Sequence, residues 1–289
     1  MMEWLRHGAG ILAAALGAHA LAFVLTAVLP DAAIIALGFE GANRDVLAAF
    51  NAAHQARPYD QVVADLLRLD FGRTLDGVAV GPELIRSVIA STPRLLSALL
   101  LIAVAMVLAA LLPPHRGSWT ESAARFVAFL PPYVLPFLGL VGLLSLTFSA
   151  GVSVGDVGSG TVAVVTLALA PAALVFAQVR AIVRRNLSTE FARMLLAIGA
   201  SRFEQSARLL HNVLAELSPS LEKVATSLIA VLVFLEPVFG VDGFGTTAVR
   251  AIRRSDIDLI LGVTLVMAIG VGVFKVLSIW VRRQYGLMA

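Results

Sequence analysis

The sequence predicts an all-α integral membrane protein with six transmembrane helices. Of its 289 residues, 59% are hydrophobic and only 14% are charged, and the mean hydropathy is +0.89. Soluble domains carry about 25% charged residues. Six stretches, at 9–30, 93–113, 125–148, 161–181, 219–239 and 259–281, are apolar for the roughly 20 residues that a helix needs to cross a hydrocarbon core of about 30 Å. Arginine also gathers in alternate loops, as it does in oriented membrane proteins.

The first span follows Trp4 and Arg6 and ends at Leu29-Pro30. It is too long for a secretory h-region and no small-x-small cleavage site follows, so a retained span is expected. Residues 1–30 form the N-terminus with this span. Residues 31–92 are the longest hydrophilic segment, where Asp31, Asp45, Asp60, Asp65, Asp70 and Asp76 interleave with Arg44, Arg57, Arg68 and Arg73. Apolar pairs such as Val62-Val63 and Leu66-Leu67 argue for a folded cap of short helices, with Pro82-Glu83 opening a helix that runs to Thr92-Pro93. The core, 93–289, carries the other five spans.

The second span ends at Pro113-Pro114, and a short loop is expected over His115–Ala124. The third carries Pro131, Pro132 and Pro136. Prolines break or kink a helix, and in a bilayer the freed carbonyls need neighbouring helices, so this span is expected to be buried among others. Gly151–Gly160 is a glycine-rich turn, span four contains Pro171, and Gly240–Asp258 joins spans five and six.

Arg6, Arg116, Arg125, Arg180 to Arg208, Arg282 and Arg283 fall on one side, and Gly151–Gly160 on the other has no basic residue. Arg250, Arg253 and Arg254 also fall on that other side, but Asp242, Asp256 and Asp258 balance them. The arginine-rich side is cytoplasmic by the positive-inside rule. Both termini are then cytoplasmic, and Trp4, Trp119 and Trp280 lie near that interface.

The polar stretch 184–216 interrupts this pattern. Phe191, Leu195 and Ile198 form an i, i+4, i+7 stripe, which predicts a short helix. Gly199 is placed to end it with positive φ. Ser201 and Glu204 match the S-x-x-E capping box that starts a second helix. That helix carries Phe203, Ala207, Leu210 and Leu214 on one face and Arg202, Gln205, Arg208 and Asn212 on the other. A solvated helical loop and a docking element for a cytoplasmic partner fit this spacing equally.

No G-x-x-x-x-G-K-[ST] phosphate loop exists; the two lysines, Lys223 and Lys275, follow Glu222 and Phe274. ATP hydrolysis by that route is therefore excluded. The five histidines have no metal-ligand spacing and cysteine is absent, so no metal, cofactor or catalytic constellation is expected on this chain. The near absence of lysine and a net charge of +3 suit lipid better than nucleic acid. Ionisable groups inside spans are functional suspects. Lys275 fits a snorkelling side chain or a partner of Glu222. Glu236, just before Pro237, either lines the mouth of a pathway or satisfies a local turn.

Four segments, taken together and in order, carry a resemblance. Leu69-Asp70-Phe71-Gly72-Arg73-Thr74-Leu75 is similar to a G-D-L-G-x-S-L pattern. Glu190-Phe191-Ala192-Arg193 with Ala197, Gly199 and Asn212 is similar to an EAA-type cytoplasmic loop. Glu236-Pro237-Val238-Phe239-Gly240-Val241-Asp242-Gly243-Phe244-Gly245 is similar to E-T-V-F-G-x-P-G-L-G, and Arg254-Ser255-Asp256-Ile257 with Gly262 to R-D-Y…G. The chain thus resembles the first transmembrane subunit of dipeptide/oligopeptide/nickel-type ABC importers, the DppB/OppB-like permeases. It departs from the pattern at Leu29-Pro30-Asp31-Ala32, Glu216, Lys275 and Tyr285–Ala289, which bears on the substrate branch.

The resemblance implies the type I ABC importer permease fold in the bacterial cytoplasmic (inner) membrane. It implies ATPase coupling through Glu190, Ala192, Gly199, Ala200, Ser201, Arg202, Phe203 and Ala207. It implies a homologous second permease subunit, one or two P-loop ATPase subunits that hold the ATP and Mg, and a periplasmic or lipid-anchored solute-binding protein. Glu236, Phe239, Gly243 and Phe244 are pathway or outer-gate candidates. Peptides are the expected cargo. An ATP-independent secondary transporter or channel is the alternative, although such proteins usually carry more intramembrane acids or an internal repeat.

Overall fold

The structure is a computed structural model that describes residues 2–26, 57–111, 118–131, 133–150, 159–187, 189–201, 204, 213, 216–217 and 220–284. Its helices are α1 (Met2–Thr26), α2 (Tyr59–Leu67), α3 (Val80–Leu111), α4 (Ser118–Phe129), α5 (Val134–Ala150), α6 (Ser159–Leu187), α7 (Glu190–Ala197), α8 (Leu221–Phe239), α9 (Phe244–Arg253) and α10 (Ile257–Gln284). Among the described residues, four segments are long and apolar enough to span a membrane: Gly8–Thr26, Val80–Leu111, Gly160–Leu187 and Ile257–Trp280. The number is up to six if Trp119–Phe129 with Val134–Ser149, and Lys223–Phe239 with Phe244–Arg253, each count as one bent span.

The chain divides into two compact units, Met1–Ser91 with Gly240–Gly272, and Thr92–Phe239 with Val273–Ala289. In the first, Val80 and Leu84 of α3 pack with Phe244, Ala248 and Ala251 of α9 and Leu259 and Val263 of α10. Gly262 makes this approach close, since a Cβ there would lie 2.7 Å from Leu84 Cδ1. On α1, His19 is buried with Nδ1 3.4 Å from the Tyr59 hydroxyl of α2, and the Phe23 ring lies 5.0 Å from that of Tyr59.

In the second unit the core runs between α3, α6 and α8. Ile102, Leu167, Val175, Val179, Leu228, Val231 and Leu235 fill it, and fully buried Ala98, Ala109 and Ala163 let backbones approach. Small residues at helix contacts are how membrane helices gain packing without a hydrophobic driving force. α5 lies against α6 at Gly139, where a side chain would collide with Thr166. Large apolar side chains remain exposed, among them Leu96, Leu100, Phe137 and Phe148, as a lipid-facing surface requires.

The structure departs from the sequence reading in three places. α3 passes unbroken through Pro93, where a helix was expected to end. One proline removes one ladder bond, a loss that a long apolar helix with packed neighbours absorbs. The loop expected up to Ala124 is helical from Ser118, so α4 begins earlier. The proline-rich third span breaks as expected, into two helices meeting at 108°, but within this chain Phe137, Leu138, Val141 and Phe148 of α5 are exposed, not buried among other helices. The break follows Phe129, and a turn closes it by Val134 N–H donating to the Pro131 carbonyl at 2.9 Å. The expected turn at Gly151–Gly160 lies almost wholly outside the described residues, as does the cap before Arg57.

Candidate functional site

Three local structures stand out around the predicted site residues that the structure describes. The first is the polar elbow. Glu190 opens α7 and is exposed. Ile198 N–H closes the helix on the Met194 carbonyl at 3.1 Å, and Gly199 then takes φ +77°, a region that costs a side-chain-bearing residue about 1–2 kcal/mol. Ser201 and Glu204 form a reciprocal cap: Ser201 N–H donates to Glu204 Oε2 at 2.7 Å, and Glu204 N–H to Ser201 Oγ at 3.3 Å. Both donors at the start of a helix are thereby satisfied. Ala200, half-buried, bridges the two ends. The Ala192 side chain and residues Arg202, Phe203 and Ala207 lie outside the described residues, and so does the Glu222 side chain as partner for the exposed Lys275.

The second is a buried ion pair in the second unit. Glu236 on α8 is fully buried and pairs with Arg94 on α3, whose side chain is 16% exposed. An ionised carboxylate without a partner there would cost several kcal/mol, so the pair is what allows Glu236 to sit inside a helix bundle. Phe239, one turn further on, packs against the same core. Glu236 thus faces a long-range partner, Arg94.

The third is a clasp in the first unit, where two of the segments that carry the resemblance meet. α9 ends with Ser255 N–H on the Ile252 carbonyl and Asp256 N–H on the Ala251 carbonyl, at 3.1 and 3.0 Å. This is a Schellman closure with Ser255 at φ 52°. Asp256 at once N-caps α10, accepting from Leu259 N–H at 3.2 Å, and its other oxygen accepts from Leu75 N–H at 2.9 Å. Asp258 accepts from Arg73 N–H at 3.1 Å and from the Arg57 guanidinium at 2.7 Å. Gly72 (φ +81°) passes so close to Asp258 and Arg57 that no side chain fits.

Burial works against the Arg57 charge, but Asp258 and then Asp65 hold it above its ordinary pKa. Burial pushes the Asp256 carboxyl up. The Leu75 and Leu259 N–H groups pull it down, while Asp258 and Asp76 add to the rise. Phe244 N–H donates to Ser91 Oγ at 2.8 Å and its ring is buried; Gly243 before it is buried and extended. Glu236 and Phe239 therefore belong to one unit, and Gly243 and Phe244 to the other. Among the described residues no three His, Cys, Asp or Glu side chains form a metal-binding group.

Sequence reasoning missed Arg94, Asp256 and Asp258 as holders of these sites. The only signal for Arg94 was an arginine inside an otherwise apolar stretch after Pro93.

Residues 87–285, well over half of the chain, match the family described as binding-protein-dependent transport system inner membrane component. The chain belongs to that family. It is thus a multi-pass inner-membrane permease of an ABC importer, a system that works with a solute-binding protein and an ATPase. No curated protein matches the chain. The permease match includes the elbow, the Arg94–Glu236 pair and the Asp256–Asp258 half of the clasp.

Proposed function

We propose that this permease forms half of the translocation pathway for peptides or related small solutes, beside a homologous second permease subunit. Both termini and the elbow face the cytoplasm. The helix after Gly199 docks in a cleft of a P-loop ATPase, which holds the ATP and Mg; the chain itself is not an enzyme and binds no cofactor. The observation that carries this reading is the elbow. A left-handed glycine ends α7 and a closed Ser201–Glu204 cap follows it, a fixed bend of the kind through which a rigid-body displacement passes. The resemblance of Glu190–Asn212 to the EAA-type loop gives the partner, the four motifs in order give the dipeptide/oligopeptide/nickel-type group, and the few His and acidic groups in the spans favour peptides over a bare metal.

Mild-detergent affinity purification of the tagged chain from its native membranes, with mass spectrometry of stoichiometric partners, tests it. One or two P-loop ATPases and a second six-span permease are the expected companions. Recovery of the chain alone, or as a homo-oligomer, overturns the docking role.

A further inference from the structure

We propose that the α4–α6 corner of this permease is a binding site for the headgroup of an anionic phospholipid. Glu121 in the first turn of α4 is buried, and three guanidiniums surround it. Arg180 Nε lies 3.5 Å from Oε1, while Arg184 and Arg125 both reach Oε2, the latter at 3.9 Å. Among the described ion pairs of this corner, three positive charges face one negative, a local excess of two. Arg180 and Glu121 are enclosed, whereas the Arg125 and Arg184 side chains are 59% and 52% exposed. The excess charge is therefore presented outward. Both exposed guanidiniums converge on the same oxygen and so lie side by side, and guanidinium is well suited to phosphate.

The neighbouring surface identifies the source of that phosphate. Trp119, Phe126 and Phe129 are 73%, 69% and 87% exposed, and at 100° per residue they fall on one arc of α4 with Arg125 at its edge. A short amphipathic helix with aromatics on one face and arginine at the rim suits the headgroup level of a bilayer. A water-soluble phosphate has no use for three exposed aromatic rings; a phosphatidylglycerol-type lipid matches both the charge and the apolar face. The inference depends on the chain lying in a membrane and not on the identity of its cargo.

The test uses the full chain in mild detergent, titrated separately with dioleoyl phosphatidylglycerol, dioleoyl phosphatidylcholine and inorganic phosphate. Thermal unfolding and native mass spectrometry of retained lipid are the readouts. Phosphatidylglycerol is expected to raise the midpoint saturably and to be retained, and the other two are not. Arg125→Gln is expected to raise the half-saturating lipid concentration about fivefold, the size of one basic residue's attraction to an anionic surface. Arg125→Gln with Arg184→Gln is expected to abolish the response. An equal response to phosphatidylcholine, an equal response to inorganic phosphate, or an unchanged half-saturation in Arg125→Gln overturns the proposal. If the double variant fails to insert, the single variant decides, since its side chain is exposed and at the edge of the ion cluster.

Discussion

Removing either partner of the Arg94–Glu236 pair leaves the other charge inside the packed second unit without its ion-pair partner. Breaking such pairs costs about 3–5 kcal/mol, whereas replacing both partners is far milder. Arg94→Gln and Glu236→Gln are each expected to lower the unfolding midpoint in detergent sharply, and the double variant to recover much of the loss; additive losses would show that the two do not act as a pair. Asp256 gives the opposite kind of prediction. Its pKa is raised in the folded chain by burial, so the group favours folding below its ordinary pKa, near 4, and loses that contribution as pH rises through the raised value. Relative to Asp256→Asn, which does not titrate, the wild type should therefore lose stability as pH rises from about 4 through the raised value. A difference between the two that is flat with pH, followed by thermal unfolding, would remove the titration from the account.

The elbow was legible in the sequence because its chemistry is local. Gly199, Ser201 and Glu204 carry their turn and cap within a few residues, and the structure has both. Pairings such as Arg94 with Glu236, 142 positions apart, and Leu75 with Asp256, 181 apart, leave no such trace, since neither residue type nor spacing names the partner. The uninterrupted α3 was hidden for a related reason: a proline's local preference to end a helix yields to the packing around it. At the elbow itself, Gly199→Val is expected to abolish solute uptake while membrane insertion, measured by blotting membrane fractions, is unchanged. A β-branched residue strains the left-handed position and shifts the joint. Ala207→Arg should do the same by blocking the docking face. Wild-type uptake in both variants would separate the elbow from coupling.

For the whole molecule, the absence of cysteine makes single introduced thiols clean reporters of sidedness. Ser201→Cys and Asp76→Cys both replace exposed residues. With a membrane-impermeant maleimide, Asp76→Cys is expected to react in intact cells and Ser201→Cys only after permeabilisation; labelling of both from one side would invert the proposed topology. The clasp also bears on how the protein is made. Leu75 leaves the ribosome 181 residues before Asp256, an interval on the order of ten to forty seconds at ordinary elongation rates. Through that time the Gly72–Leu75 loop has Asp70, which accepts from Gly72 N–H at 2.9 Å, but neither Asp256 nor Asp258. The clasp therefore closes as a late event of biogenesis, and a chain truncated before Asp256 lacks the two carboxylates that close it.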